Sequence, residues 1–165
     1  MTRKTLKLTG AVAFVACAFG GFAVGLGWAT PPSPQGFTPT NLVGPTVLDE
    51  IDTKAETDNW EIELRTKGLS DVYVTHIKVA PGGYSGWHSH PGPSIIAVKS
   101  GTATFYCACD DPITRHDYPA GTGFVEDAGC VHILVNEGDV DLEVVVMQIV
   151  PRGAPRRIDE ADPRD

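Results

Sequence analysis

Past Asn41 the sequence is interrupted at intervals of about 8–12 residues by turn signals, and this more than anything else limits the fold. Between the interruptions lie short runs of strand character. "WEIELRT" alternates Trp60, Ile62 and Leu64 with charged neighbours, as a half-buried strand does. "DVYVTHIKVA" is rich in β-branched residues and ends at the turn "PGG". "SIIAVKSG" and "TATFYCAC" flank Ser100-Gly101, which reads as a hairpin turn. "GTGFVE", "CVHILVN" and "LEVVVMQIV" complete the series, with the turn "NEGDVD" between the last two. Roughly eight to ten short strands predict an all-β sandwich or barrel. Only "DTKAETDN" has the makings of a single helical turn. The 18 glycines and 13 prolines suit a turn-rich chain and argue against a helical bundle, and 165 residues suffice for one domain with a core.

The N-terminus has a different character. "MTRKTLK" is basic, Leu8 to Ala29 holds no charged residue, and "TPPSPQGFTPTN" breaks any helix. This is the pattern of a secretory signal cleaved after Ala29; the alternative is an uncleaved membrane anchor, since the apolar run is about as long as a span requires. The expected organisation is therefore a signal or anchor helix over 1–29, a Pro-rich linker over 30–42, a β domain over 43–151 and a charged tail over 152–165 lying on the surface or frayed. The protein is expected to be exported, outside the cell or in its envelope, meeting a membrane only through an uncleaved N-terminus. A net charge of −8 disfavours nucleic acid and anionic membrane surfaces as partners. Of the four cysteines, Cys17 falls in the signal segment. Cys107, Cys109 and Cys130 leave room for one internal disulfide. Cys107 and Cys109 are poorly placed to pair on a strand, and a bridge from either to Cys130 is the alternative.

Two of the five histidines stand one residue apart in "GGYSGWHSHPG". On a strand His88 and His90 point the same way and Ser89 the other, so two imidazoles on one face can grip one ion. The third ligand must come from another strand. His132 is the candidate, because a histidine in an apolar mid-strand setting needs a partner.

These stretches resemble the paired motifs of the cupin superfamily. In the first, Gly82, His88, His90 and Gly101 are in register, with Ser94 in the slot of the family's glutamate; in the second, Gly121, Gly129, His132 and Asn136 are in register, with Asp127 in the slot of a proline. The resemblance spans about Val72 to Val150, with a short connecting stretch, and is to small, secreted, single-domain cupins of actinobacterial type. It implies a double-stranded antiparallel β-barrel of jelly-roll type, with His88, His90 and His132 in its mouth. Asn136 would support the second motif by hydrogen bonding. A homodimer formed through sheet-edge strands is also implied.

Three histidines without the glutamate leave a divalent ion its full charge and open coordination positions. Imidazole suits iron, zinc, manganese, nickel or copper, so ligand type does not choose among them. Metal affinity is expected to fall below about pH 6, where free imidazole protonates. Glu126 stands as a carboxylate that could approach from another direction or act as general base, or else as a solvated or supporting acid. Tyr106 is the other general-base candidate. Cys130, two positions before His132, would share its face as ligand, redox thiol or simply a small buried residue. Trp87 and Tyr84 either wall the pocket or pack the barrel, Phe105 belongs to the core, His76 to the surface and His116 to a loop. The reading is one divalent transition metal serving oxidation or isomerisation of a small organic molecule. The alternatives are a non-catalytic metal or small-ligand binding protein, and a structural cupin with a folding role for the histidines.

Overall fold

The computed structural model describes residues 34–109 and 112–165. The signal or anchor segment and the first residues of the linker lie outside the described residues. Twelve strands are present: β1 (Gln35–Leu48), β2 (Asp52–Thr57), β3 (Trp60–Arg65), β4 (Ser70–Tyr84), β5 (His88–Ser89), β6 (Ser94–Ser100), β7 (Thr102–Cys107), β8 (Thr114–Pro119), β9 (Gly123–Glu126), β10 (His132–Val135), β11 (Leu142–Pro151) and β12 (Ile158–Asp159). No described residue is helical, and "DTKAETDN" is β2 with the turn into β3.

Two antiparallel layers face each other. One runs β1-β4-β11-β6-β9 and the other β12-β5-β10-β7-β8. The far end of the long strand β4 joins them, pairing Tyr84 with Val135 of β10, so that ten strands form one nearly closed sheet. Both layers supply the core: Val79, Ile96, Val98, Leu142, Val144 and Val146 from the first meet Ala103 and Leu134 from the second. The alternation along β11 shows why, since Leu142, Val144, Val146, Gln148 and Val150 are buried and the residues between them are more exposed. Phe105 is buried as expected, its ring 5.1 Å from that of Phe124.

Four expectations are corrected. Residues 35–42, assigned to the linker, form the first half of β1 and pair with β4 from Gln35↔Tyr84 to Asn41↔Thr75. β1 has no partner but β4, and an edge strand accommodates Pro39 and Pro45 where a central strand would not. Ser100-Gly101 is a turn but not a hairpin, because β6 pairs with β9 and β11 whereas β7 pairs with β8 and β10. The turn carries the chain from one layer to the other. Gly101 permits this with φ 73° and a close approach to β11, where an added Cβ would lie 3.0 Å from the Asp141 carbonyl oxygen. Trp60, Ile62 and Leu64 are exposed, not half-buried, because β2 and β3 form a hairpin of their own outside the barrel sheet. His116 lies on β8 rather than in a loop, and is exposed.

β12 pairs with β5 through Ile158↔Ser89 and Asp159↔His88. Glu160 N–H donates to the Trp87 carbonyl at 3.1 Å, and the Ser89 hydroxyl donates to the Glu160 carboxylate at 2.7 Å. Of the two expectations for the tail, surface-lying or frayed, the structure gives the first, with the added feature that it pairs along one edge of the barrel beside the histidine pair.

Candidate metal centre

Strand register brings the three histidines together. His132 opens β10 directly opposite His88 on β5, and His90 follows on the same face. Ser89 points the other way, toward the tail. Ring centroids are 4.4 Å apart for His88–His132, 4.8 Å for His88–His90 and 5.2 Å for His90–His132. One ligating atom from each lies within 4.8 Å of the other two, and all three residues are buried.

Hydrogen bonding fixes the tautomers. Nδ1 of His88 meets the Gly86 carbonyl at 2.8 Å, Nδ1 of His90 the Arg156 carbonyl at 2.7 Å, and Nδ1 of His132 the Cys130 carbonyl at 2.9 Å. A carbonyl only accepts, so each Nδ1 carries the hydrogen and each Nε2 presents a lone pair. Burial, and after it the neighbouring His132, holds His88 down to about 2 from its ordinary 6.5. Burial also lowers His132, against the opposing pull of Glu126. Burial thus favours the neutral form of His88 and His132, whose Nε2 atoms then accept and do not donate.

Glu126 completes the constellation. It is buried at the end of β9, with its carboxylate 3.3 Å from His90 Nε2 and 3.4 Å from His132 Nε2. Its backbone partner across the sheet is Ser94, the residue in the family's glutamate slot. The carboxylate missing from β6 is thus supplied by the adjoining strand at the same level. Lone pairs and a carboxylate crowd together with no donor between them, and His132 Nε2 is buried without any hydrogen-bond partner. A cation relieves both conditions. Three imidazoles with Nδ1 bound to carbonyls and one carboxylate are a donor set suited to a divalent transition metal.

The site opens on a cavity of about 220 Å³. The inward-facing cross-strand row Gln148–Ser94–Glu126 forms its polar level, and the next row, Val146–Ile96–Phe124, begins the apolar interior. Phe37 and Pro39 of β1 and Arg156 and Arg157 of the tail also line it.

Other candidates fall elsewhere. Tyr106 is not at the cavity: its hydroxyl bonds to Glu137 at 2.6 Å, in a second pocket shared with Tyr84, Trp87 and Arg164. Tyr84 and Trp87 therefore wall that pocket and not the histidine cavity. His76 pairs with Glu143 at 2.8 Å and is partly exposed. Cys130 meets His132 through its carbonyl, while its sulfur joins those of Cys107 and Cys109. Cys109 lies past the end of β7, with its Cα 5.5 Å from that of Cys107 and 5.2 Å from that of Cys130, and its sulfur is within bonding reach of both. The strand geometry that argued against a Cys107–Cys109 bridge does not extend to Cys109. One sulfur forms one disulfide, so a bridge through Cys109 leaves one of its two partners as a thiol. Asn136 takes its expected role: it is fully buried, its Nδ2 donates to the carbonyls of Val79 and Val140, both at 2.8 Å, and its Oδ1 accepts from Gly138 N–H at 3.1 Å.

The family model of the cupin domain matches residues 75–148. No curated protein matches. Among solved structures the chain is similar to a conserved protein of unknown function from Streptococcus pyogenes, at 17% identity and TM-score 0.47, covering 71% of this chain and 76% of that one. It is similar to a cupin domain from Bordetella pertussis, at 17% identity and TM-score 0.47, covering 73% and 96%. It is also similar to a recombinant oxalate oxidase in complex with glycolate, at 24% identity and TM-score 0.48, covering 53% of this chain and 45% of that one, so it spans less than half of the oxidase. Residues 75–148, which carry His88, His90, Glu126, His132 and Asn136, are a cupin domain.

Proposed function

We propose that this is an exported, single-domain cupin of the small actinobacterial kind. It binds one divalent transition metal through His88, His90 and His132, with Glu126 as a fourth donor. The metal faces a small organic molecule in the adjoining cavity, which the protein oxidises or isomerises. One observation carries the reading: three buried imidazoles have Nδ1 committed to carbonyls and Nε2 converging, and His132 Nε2 has no hydrogen-bond partner among the described residues. A bound divalent ion supplies Lewis acidity and a place for a ligand atom. The chain's own residues hold the imidazoles in one tautomer, set a carboxylate beside two of them and line the chamber with β1 and the tail. Export rests on the basic start and uncharged run of residues 1–29.

Glu126 favours a second reading, a non-catalytic metal binder. Four protein donors close a tetrahedral site but leave positions open on a six-coordinate ion. The metal's identity therefore separates the two. Elemental analysis of protein purified without chelating resin is expected to give about one equivalent of metal per chain, and His132→Ala to abolish it. Stoichiometry near zero, or a His132→Ala variant that still loads fully, refutes the proposed centre. Oxygen uptake by the loaded protein with phenols, thiols and diketones distinguishes catalyst from binder.

A further inference from the structure

Two arginines line the cavity, and they differ in one respect. Arg157 gives its Nε to the Asp159 carboxylate at 2.5 Å. Arg156 forms no ion pair among the described residues. Its Nε donates to Gln148 Oε1 at 3.1 Å, Nη1 to Asn41 Oδ1 at 2.7 Å and Nη2 to the Thr75 hydroxyl at 2.8 Å, and the guanidinium rests 4.2 Å from the centre of the Tyr73 ring. These contacts are neutral, so they hold the group in place without cancelling its charge. A guanidinium has five N–H donors and stays charged, so about two remain unused. Gln148 and Thr75 are themselves buried, so the positive charge is held rigidly at the wall of a chamber whose interior is largely apolar. Arg156 is itself only partly buried, and no carboxylate among the described residues offsets its charge.

We infer that Arg156 is the anion-binding end of the cavity, and that the ligand is a small monocarboxylate whose apolar body lies between this guanidinium and the metal centre. The inference rests on the cavity being the ligand chamber proposed above. A single unpaired cation with spare donors in a planar fork suits one carboxylate better than a phosphate dianion. At about 220 Å³ the chamber falls below the roughly 300–1,000 Å³ typical of drug-sized ligands, so the occupant is small. The site also links to the metal, because the Arg156 carbonyl accepts from His90 Nδ1 at 2.7 Å. That contact is backbone, so changing the side chain leaves the imidazole's partner in place.

The test uses the metal-loaded full chain, with calorimetric titration of butyrate, benzoate, butyramide and inorganic phosphate. Butyrate or benzoate is expected to bind saturably, with butyramide at least about tenfold weaker, a difference near 1.4 kcal/mol. Arg156→Gln is expected to weaken carboxylate binding by about tenfold or more while butyramide binding and metal content stay unchanged; Arg156→Lys, which keeps charge but not the fork, should fall between. Equal affinity for butyrate and butyramide overturns the inference, as does an Arg156→Gln variant with unaltered carboxylate affinity, which would place the carboxylate on the metal instead. Preference for phosphate also overturns it. Metal content near zero would defeat the proposed centre alone, and the butyrate–butyramide comparison on metal-free protein would still judge Arg156. Should Arg156→Gln not fold, the comparison of acid with amide on the metal-free wild-type protein decides, because no metal is then present to hold the carboxylate.

Discussion

Replacing His88 with asparagine should flatten the acid sensitivity of the metal-free protein. His88 is buried, and burial holds its folded value to about 2, against 6.5 for the ordinary side chain. The folded chain therefore keeps this imidazole neutral through the mildly acidic range, while the unfolded chain protonates it below about pH 6.5. Protons bind the unfolded state preferentially, so stability is lost progressively as pH falls from 6.5 toward about 2. The slope is about 1.4 kcal/mol per pH unit for one group, and one unit below 6.5 the loss from His88 is about 1.4 kcal/mol. His132, lowered in the same direction by burial, adds to it. Asparagine removes the titrating ring but offers an N–H to the Gly86 carbonyl that Nδ1 now engages. The assay is urea unfolding with chelator present, at about pH 7.5 and about pH 5.5, above the range where ordinary carboxylates titrate. Wild type should lose about 1.4 kcal/mol more between the two conditions than His88→Asn. A difference under about 0.5 kcal/mol refutes the claim that burial, as found here, keeps this imidazole neutral. The earlier expectation of weakening metal affinity below about pH 6 assumed free imidazoles; for His88 the acid sensitivity moves from the metal to the fold.

Two further substitutions test the surroundings of the centre. Glu126→Gln preserves the side chain's size and removes its charge beside His90 and His132, and should weaken metal affinity by about 10–100-fold in a competition titration, whereas Ser94→Ala should leave it unchanged. Asn136→Ala strands the buried Val79 carbonyl and removes the bonds to the Val140 carbonyl and Gly138 N–H in the adjoining turn, and should cost about 1–3 kcal/mol in denaturant unfolding without altering the metal stoichiometry of the folded fraction.

What could be read from the chain and what could not follow from locality. The His88–His90 pair is legible because strand alternation is a local rule, and His132 because a polar ring in an apolar run demands a reason. Glu126 carries no such mark. Its place beside two imidazoles depends on the pairing Ser94↔Glu126, a register between distant segments that no short pattern encodes. The same alternation that signals a buried face in β11 misleads in "WEIELRT", because a hairpin outside the barrel shows the identical period. Pro-rich composition reads alike in a linker and in an edge strand, which hid β1.

These failures are not scattered. The histidine cluster is built from the two motif segments, whereas the wall beside it joins Asn41 of β1, Thr75 of β4, Gln148 of β11 and Arg156 of the tail. Asn41 and Arg156 bracket the barrel at its two ends, in the very segments whose composition suggested linker and loose tail. In this architecture β1 and the segment after β11 line the chamber, so the groups proposed to select a ligand sit where turn-rich, proline-containing and charged sequence is least informative. The donor set that holds a metal can be common to many such barrels, while the chemistry of what it meets depends on how each chain lines the rest of its chamber. For this chain the lining group is an unpaired guanidinium, and it is there that a search for the substrate should begin.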